Sequence, residues 1–262
     1  MLSLVPTPIG NLEDISKRAF EALKTAEIIF CEDTRVTKKL LNLLNIPLTK
    51  QFIAMHSHNE NEAVSKINPE ILKTKNCVYV SDAGMPGVSD PGSGLVKFCQ
   101  ENNIEYTVIP GANAMLSAYV ASGFEGEFCF WMFLPHKGKE RMDKLREITD
   151  SGKIAIIYES PHRIEKLINE LKELIPEREI FLAKELTKMY ETYIKAKAKE
   201  IFLPNTKGEW VVVINKGEKR KNLTLSYEEI EKLNLPLKEK SKLLAKISDK
   251  SSKEIYKELT NK

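Results

Sequence analysis

Along the first half of the chain, short apolar runs alternate with stretches whose apolar residues recur at helical spacing. Residues 2–5, 28–31, 52–56, 77–81 and 106–110 read as strands, since brief apolar runs bounded by turn formers suit strands buried on both faces. Between the first two, Asp14 is placed to cap a helix whose Ile15, Ala19, Ala22, Leu23 and Ala26 share one stripe. Thr34 is placed to cap a leucine-rich helix ending near Asn45-Ile46-Pro47. Strands alternating with helices predict a mostly parallel sheet covered on both faces.

After the small-residue stretch 112–123 a second set begins. Residues 128–133, 154–159, 180–184 and 210–215 read as strands, and 139–149 and 161–174 as helices. Pro161 suits the first turn of the latter helix. Over 192–202 the pattern turns to strict alternation, which predicts antiparallel pairing and a mixed sheet. The fold class expected is α/β, with an N-terminal α/β domain over 1–112 and a C-terminal α/β domain over 113–218. A basic helical extension over 219–262 would follow, with Lys219-Arg220-Lys221 as linker. Its two helical stretches, split near Leu235-Pro236, carry few apolar residues, among them Leu243, Leu244, Ile247, Ile255, Tyr256 and Leu259. That suggests a helix-turn-helix-like appendage too small for a core of its own.

Composition adds little to the main body and something to the tail. With 262 residues, 42% hydrophobic and 29% charged, the chain reads as an ordinary water-soluble protein. No apolar run approaches the ~20 residues that cross a bilayer. The N-terminus lacks the pattern of a signal peptide, so cytoplasm is the expected location. Cys31, Cys77, Cys99 and Cys129 form no CxxC pair and sit in or beside apolar runs, which reads as buried, reduced thiols. Residues 219–262 carry twelve Lys/Arg against seven Asp/Glu, a balance of +5 in a chain whose total is +3. A basic tail on a near-neutral body points to a polyanionic partner or to a solvated surface.

Three loops follow predicted strands: VPTPIGN (5–11), SDAGMPGVSDPG (81–92) and PGANA (110–114). In an open α/β sheet, ligands bind beyond the carboxyl ends of strands. Glycines let backbone approach a ligand, and prolines hold a loop open in advance. Phosphate is a poor fit. The chain has no GxxxxGK[ST] motif, no lysine lies between residues 76 and 96, and Asp82 and Asp90 would repel an anion. Carboxylates at strand ends suit ribose hydroxyls, an ammonium or another cation, and S-adenosyl-L-methionine offers all three. Structural turns are the alternative.

Nine stretches occur in order: VPTPIGNLEDIS, CEDTR, HSHNE, VSDAGMPGVSDPG, IPGANA, FLP, YESPHR, KELTK and GEWVVVI. Together they resemble the bacterial 16S ribosomal RNA 2'-O-ribose (cytidine) methyltransferases of the tetrapyrrole methylase superfamily, from about residue 2 to residue 217. The tail resembles the small extension of that family. The resemblance implies two α/β domains with the methyl donor in the cleft between them, and a homodimer. It implies S-adenosyl-L-methionine-dependent methylation of a cytidine ribose near the decoding region of 16S rRNA, on the 30S subunit or its RNA. Three positions depart from the family pattern: threonine is expected at Met85, proline at Ala112 or Asn113, and glycine at Met132.

On that resemblance, donor-binding candidates are Pro8, Asp82, Ala83, Gly84, Met85, Pro110, Gly111, Ala112, Asn113, Tyr158, Glu159, Ala183 and Trp210. A ribose hydroxyl is a poor nucleophile until its proton leaves, so a nearby acceptor helps. In CEDTR, Asp33 or Glu32 would orient the hydroxyl and Arg35 hold a phosphate; helix capping by Asp33 or Thr34 is the competing reading. In KELTK, Lys184 and Glu185 are catalytic candidates, Lys184 as a base beside the cationic donor, with a surface ion pair as the alternative. Trp210 either walls the adenine pocket or belongs to a core. His56 and His58 share a strand face, but lack ligand-spaced companions, so no metal is expected; His56 is a candidate RNA contact, with an ordinary strand-end histidine as the favoured alternative. Arg163 would face substrate. Lys242, Lys246, Lys250 and Lys253 would touch RNA phosphates, adding affinity without sequence readout. Two other functions compete: a small-molecule tetrapyrrole methylase, and a non-catalytic RNA-binding assembly factor.

Overall fold

A computed structural model describes residues 1–56, 59–218 and 226–260. The chain forms two compact units, Met1–Lys219 and Arg220–Lys262.

The first unit holds two five-stranded sheets. The strands of the first are β1 (Leu2–Leu4), β2 (Ile28–Cys31), β3 (Gln51–Ala54), β4 (Cys77–Val80) and β5 (Tyr106–Val108), in the order β3-β2-β4-β1-β5, all parallel. Helices α1 (Lys17–Thr25), α2 (Thr34–Leu43), α3 (Glu60–Ser65), α4 (Pro69–Thr74) and α5 (Ser93–Glu101) connect them. Successive strand residues point to opposite faces, so β2 and β4 feed two cores. Ile28, Phe30, Cys77 and Tyr79 pack with Leu72 of α4 and Leu95 and Cys99 of α5. Ile29, Cys31, Val78 and Val80 pack with Ala19 and Leu23 of α1 and Leu41 of α2. Burial on both faces explains the unbroken apolar runs.

The second sheet contains β6 (Phe128–Phe133), β7 (Ile154–Glu159), β8 (Glu179–Lys184), β9 (Thr192–Lys197) and β10 (Trp210–Ile214), in the order β6-β7-β10-β8-β9. Only β6 and β7 are parallel, so the sheet is mixed. One face packs on α7 (Gly138–Asp150) and α8 (Ile164–Leu174) through Leu145, Ile148, Leu167 and Leu171. The other face packs on α6 (Ala114–Ser122) through Ala118 and Met115. The division expected at residue 112 falls in the connection between β5 and α6.

The helix starts differ from expectation. Ser16, not Asp14, caps α1, its hydroxyl accepting the Ala19 N–H at 3.1 Å. Asp14 ends a single 3-10 turn because the Asn11 side chain captures the Glu13 N–H. Asp33, not Thr34, caps α2. Helix α8 begins at Ile164 rather than Pro161, after a turn in which the Ser160 carbonyl accepts from the Arg163 and Ile164 N–H groups. The alternation of 192–202 ends as a strand at Lys197, where a 3-10 turn over Ala198–Glu200 follows.

The second unit contains α9 (Tyr227–Lys232), α10 (Leu237–Leu244) and α11 (Ser252–Thr260). Three helices form where two stretches were expected. Ser226 and Glu229 make a reciprocal capping box on α9. Ile230, Leu244 and Ile255, one from each helix, are buried together, so the unit has a small core of its own. The linker expected at Lys219-Arg220-Lys221 lies outside the described residues.

Candidate active site

The loops after β1, β4 and β5 meet at the carboxyl edge of the parallel sheet. Thr7 and Gly84 exchange backbone hydrogen bonds, each 3.0 Å, tying the first loop to the second. Gly84 sits at φ +80°, where an L side chain is strained. A Cβ on Gly111 would collide with the Pro6 ring, so the third loop packs on the first only as glycine. Asn113 caps α6, accepting the Leu116 N–H at 3.0 Å.

Between these loops and the second sheet lies a cavity of about 330 Å³. One wall is Ile9, Ala83, Gly84, Met85, Val88, Ser89, Asp90, Asn113 and Ala114; the other is Phe133, Tyr158, Glu159, Ser160, Pro161, Glu209, Trp210 and Val211. Its size is in the range of small-molecule sites. Tyr158 is fixed by edge-to-face contacts with Phe130 and Phe133, and its hydroxyl accepts the Met115 N–H at 3.2 Å. Burial pushes that phenol up to about 12. Trp210 is 3% exposed, belongs to the core beneath β10 and still lines the cavity; its Nε1–H donates to the Thr206 carbonyl. Trp210 is thus a core residue that also faces the cavity.

The floor rests on a buried ion network. Arg141, 1% exposed, donates to both Glu170 oxygens, to the Pro135 carbonyl and to Glu159 Oε2. Glu159 Oε1 is 2.7 Å from Arg163 and accepts the Ser160 N–H. Glu159 thus lines the cavity with its carboxylate already consumed. Arg163, expected to face substrate, is spent on Glu159 and the Leu134 carbonyl, because helix α8 begins one turn later than the sequence suggested.

At the outer end, the tips of β2 and β4 are cross-tied. The Asp33 N–H donates to Asp82 Oδ1 at 3.1 Å, and the Asp82 N–H to Glu32 at 3.3 Å. The Asp33 carboxylate accepts the Arg35 backbone N–H at 2.8 Å and pairs with its guanidinium at 2.6 Å, which holds it down to about 2. Burial pushes Glu32 and Asp82 upward instead, with nearby carboxylates adding to the shift. His56 is half-buried just beyond β3; His58 lies outside the described residues.

Seven donor-binding candidates line the cavity: Ala83, Gly84, Met85, Asn113, Tyr158, Glu159 and Trp210. Pro8, Asp82, Pro110, Gly111, Ala112 and Ala183 do not, although Gly111 shapes a loop and Ala183 pairs with Val211 on the adjoining strand. The catalytic candidates Asp33, Arg35, Lys184 and Glu185 also lie outside the lining. Lys184 stands beside it, 5.6 Å from the Trp210 ring centroid and bonded to Asn205. Glu185, at φ +53°, clamps a loop by accepting from the Glu209 N–H and Lys188. Lys242, Lys246, Lys250 and Lys253 are exposed on the second unit, Lys250 paired with Glu258. Asp90, Phe133 and Glu209 were missed as lining residues, though each stands inside a quoted motif.

The donor set has a clear chemical bias. The walls are mostly apolar, and among the described residues the lining acid Asp90 has no counter-charge, which suits an amphipathic cation. Residues 1–202 match the family described as Tetrapyrrole (Corrin/Porphyrin) Methylases. A Campylobacter fetus protein named Ribosomal RNA small subunit methyltransferase I is 47% identical, with 99% of each chain covered. The Helicobacter pylori (strain J99) protein of the same name is 41% identical over 98% of this chain and 96% of its own. Among solved structures, the methyltransferase CobJ superposes with a TM-score of 0.63 at 19% identity, covering 82% of this chain and 94% of that one.

Proposed function

The chain belongs to the tetrapyrrole (corrin/porphyrin) methylase family, and from that premise we propose that it is an S-adenosyl-L-methionine-dependent methyltransferase acting on the ribose 2'-hydroxyl of a cytidine in the decoding region of 16S rRNA. The observation that carries the reading is a two-walled, mostly apolar cavity whose acid Asp90 has no counter-charge among the described residues, in a chain nearly half identical to a protein named for small-subunit rRNA methylation. The cavity residues fit the donor. Ala83 and Asn113 offer polar backbone and side-chain groups, while Ile9, Met85 and Trp210 offer apolar surface.

Bound S-adenosyl-L-methionine would supply a methyl group already activated on a sulfonium. The protein's own task is alignment of the ribose, and positioning alone can account for much of such a rate. Asp33, held ionised by Arg35, orients the hydroxyl as an acceptor. Arg35, with an 89% exposed side chain, meets a phosphate. Lys184, beside the Trp210 wall, is the second group assigned to the reacting ribose. Exposed Lys242, Lys246 and Lys253 supply sequence-independent attraction to RNA. The protein works as a cytoplasmic homodimer on the 30S subunit or its RNA; exposed Val120, Met189 and Tyr190 support self-association. Among the described residues no helix is long and apolar enough to cross a membrane.

The test is transfer of labelled methyl from S-adenosyl-L-methionine to 30S subunits lacking the mark, compared with a tetrapyrrole precursor, followed by mapping of 2'-O-methyl cytidine. Transfer to the precursor alone, or to neither, would overturn the reading.

A further inference from the structure

Three acids line the cavity: Asp90, Glu159 and Glu209. Two are already engaged, Glu159 by Arg163 and Arg141, and Glu209 by Lys188 at 2.9 Å. Among the described residues, no donor or cation pairs with Asp90. Its loop explains why. The Gly87 N–H donates to the Pro91 carbonyl at 3.0 Å, closing a turn that holds Ser89 at φ +67° and fixes the neighbouring Asp90. Two amides at the start of α5, those of Gly92 and Gly94, donate to Glu60 instead, at 2.8 and 2.9 Å. The titratable groups around Asp90 are Glu32 at the tip of β2, Asp82 after β4, and the phenols of Tyr79 on β4 and Tyr158 on β7. None brings positive charge. Burial, with Glu32 and Asp82 adding to it, raises the Asp90 carboxyl to about 7.

An acid held in a ligand cavity with no counter-charge is costly for the empty protein. Among occupants, a cation offsets that cost most directly, by supplying the missing counter-charge. We propose that Asp90 is the charge-selecting residue of this cavity, holding the positively charged methyl donor as a carboxylate and losing that attraction once the ligand is the neutral thioether, so that spent ligand is released. The inference rests on the reading of the cavity as a methyl-donor site and assigns to one residue the discrimination between loaded and spent forms. A cation within ~4–6 Å favours an ionised carboxyl by about ten- to a thousandfold, so donor binding must expel the proton that Asp90 carries near neutral pH.

The experiment is isothermal titration calorimetry on the full chain in buffers of different ionisation heat. The probes are S-adenosyl-L-methionine and S-adenosyl-L-homocysteine. With half-titration near pH 7, the donor should release more protons than the thioether, about 0.4–0.9 more at pH 6, about 0.4–0.5 more at pH 7 and about 0.1 more at pH 8. Its affinity relative to the thioether should rise about five- to tenfold from pH 6 to pH 8. Asp90→Asn should abolish both differences while leaving thioether affinity within about threefold of the parent. Glu209→Gln should retain both differences. Equal proton release by the two ligands in the parent protein would overturn the proposal while leaving the donor reading intact; this comparison needs no variant to fold. If neither ligand binds the parent, the donor reading falls and the proposal with it.

Discussion

Replacing Arg141 by methionine tests whether the floor of the cavity is held by charge. Methionine keeps much of the length and apolar volume, so the loss is mainly of charge and hydrogen bonds rather than of packing. Arg141 and Arg163 together balance Glu159 and Glu170. The Arg141 contacts to Glu170 are short, 2.9–3.1 Å, while those to Glu159 are 3.4 Å. After substitution, Glu159 keeps Arg163 at 2.7 Å, but Glu170, with a 12% exposed side chain, keeps only Lys166 at 3.8 Å. Leaving a buried charge uncompensated costs about 3–5 kcal/mol, and the residual partners place this case near the lower end, about 3 kcal/mol. For a unit of this size that is roughly 6–12 °C in midpoint. Adding Glu170→Gln removes the orphan charge and should recover about 1–2 kcal/mol, a coupling that a double-mutant cycle isolates. Urea and thermal unfolding of the parent, both single variants and the double variant give the numbers. A loss under about 1 kcal/mol for Arg141→Met, or coupling under about 0.5 kcal/mol, would show that the network contributes packing rather than charge balance.

The remaining expectations use the same assays or turnover. Because the folded-state value of Asp90 lies above the ordinary carboxylate range, the native protein binds more protons than the unfolded chain between about pH 4 and 7, and stability falls as pH rises through that window. Asp90→Asn should therefore gain on the parent from pH 4 to pH 8, by about 1–2 kcal/mol after discounting for its partial exposure; a gain that does not grow with pH refutes this. Met132→Gly should be neutral to about 1 kcal/mol stabilising, since Met132 is 52% exposed and held at φ +55°; a loss beyond about 1 kcal/mol would mean its side chain packs usefully. Asp33→Ala and Lys184→Ala should each keep donor affinity within about threefold and lower turnover by about a hundredfold or more; parent rates in both would remove them from the mechanism.

Met132 shows how sequence and structure speak to each other. The family pattern puts glycine there, and the chain supplies the reason: β6 and β7 lose register between Phe130 and Phe133, and the bulge carries a left-handed residue. The position was legible as a departure, while its cost depends on a backbone angle that no single-chain pattern displays. Asp33 is similar. Its place at a helix start was readable, but its N–H donates to Asp82, 49 residues away in the loop after β4. Glu185 and Arg163 stood in motifs and read as functional, yet tertiary partners bind both into local clamps.

Local patterning by itself determined the alternation of strands and helices, the parallel first sheet, the antiparallel turn in the second and the three loops that end at one edge. Those follow from side-chain period and burial, which a sequence carries residue by residue. Which acid in the cleft keeps its charge unpaired was decided only by the tertiary structure. Asp82, Asp90, Glu159 and Glu209 are the same chemistry in one dimension; folding gives Arg163 and Arg141 to Glu159, Lys188 to Glu209 and a backbone amide to Asp82, and among the described residues leaves Asp90 with none. Electrostatic partners are fixed by distance in space, and distance in space is what the folded chain adds.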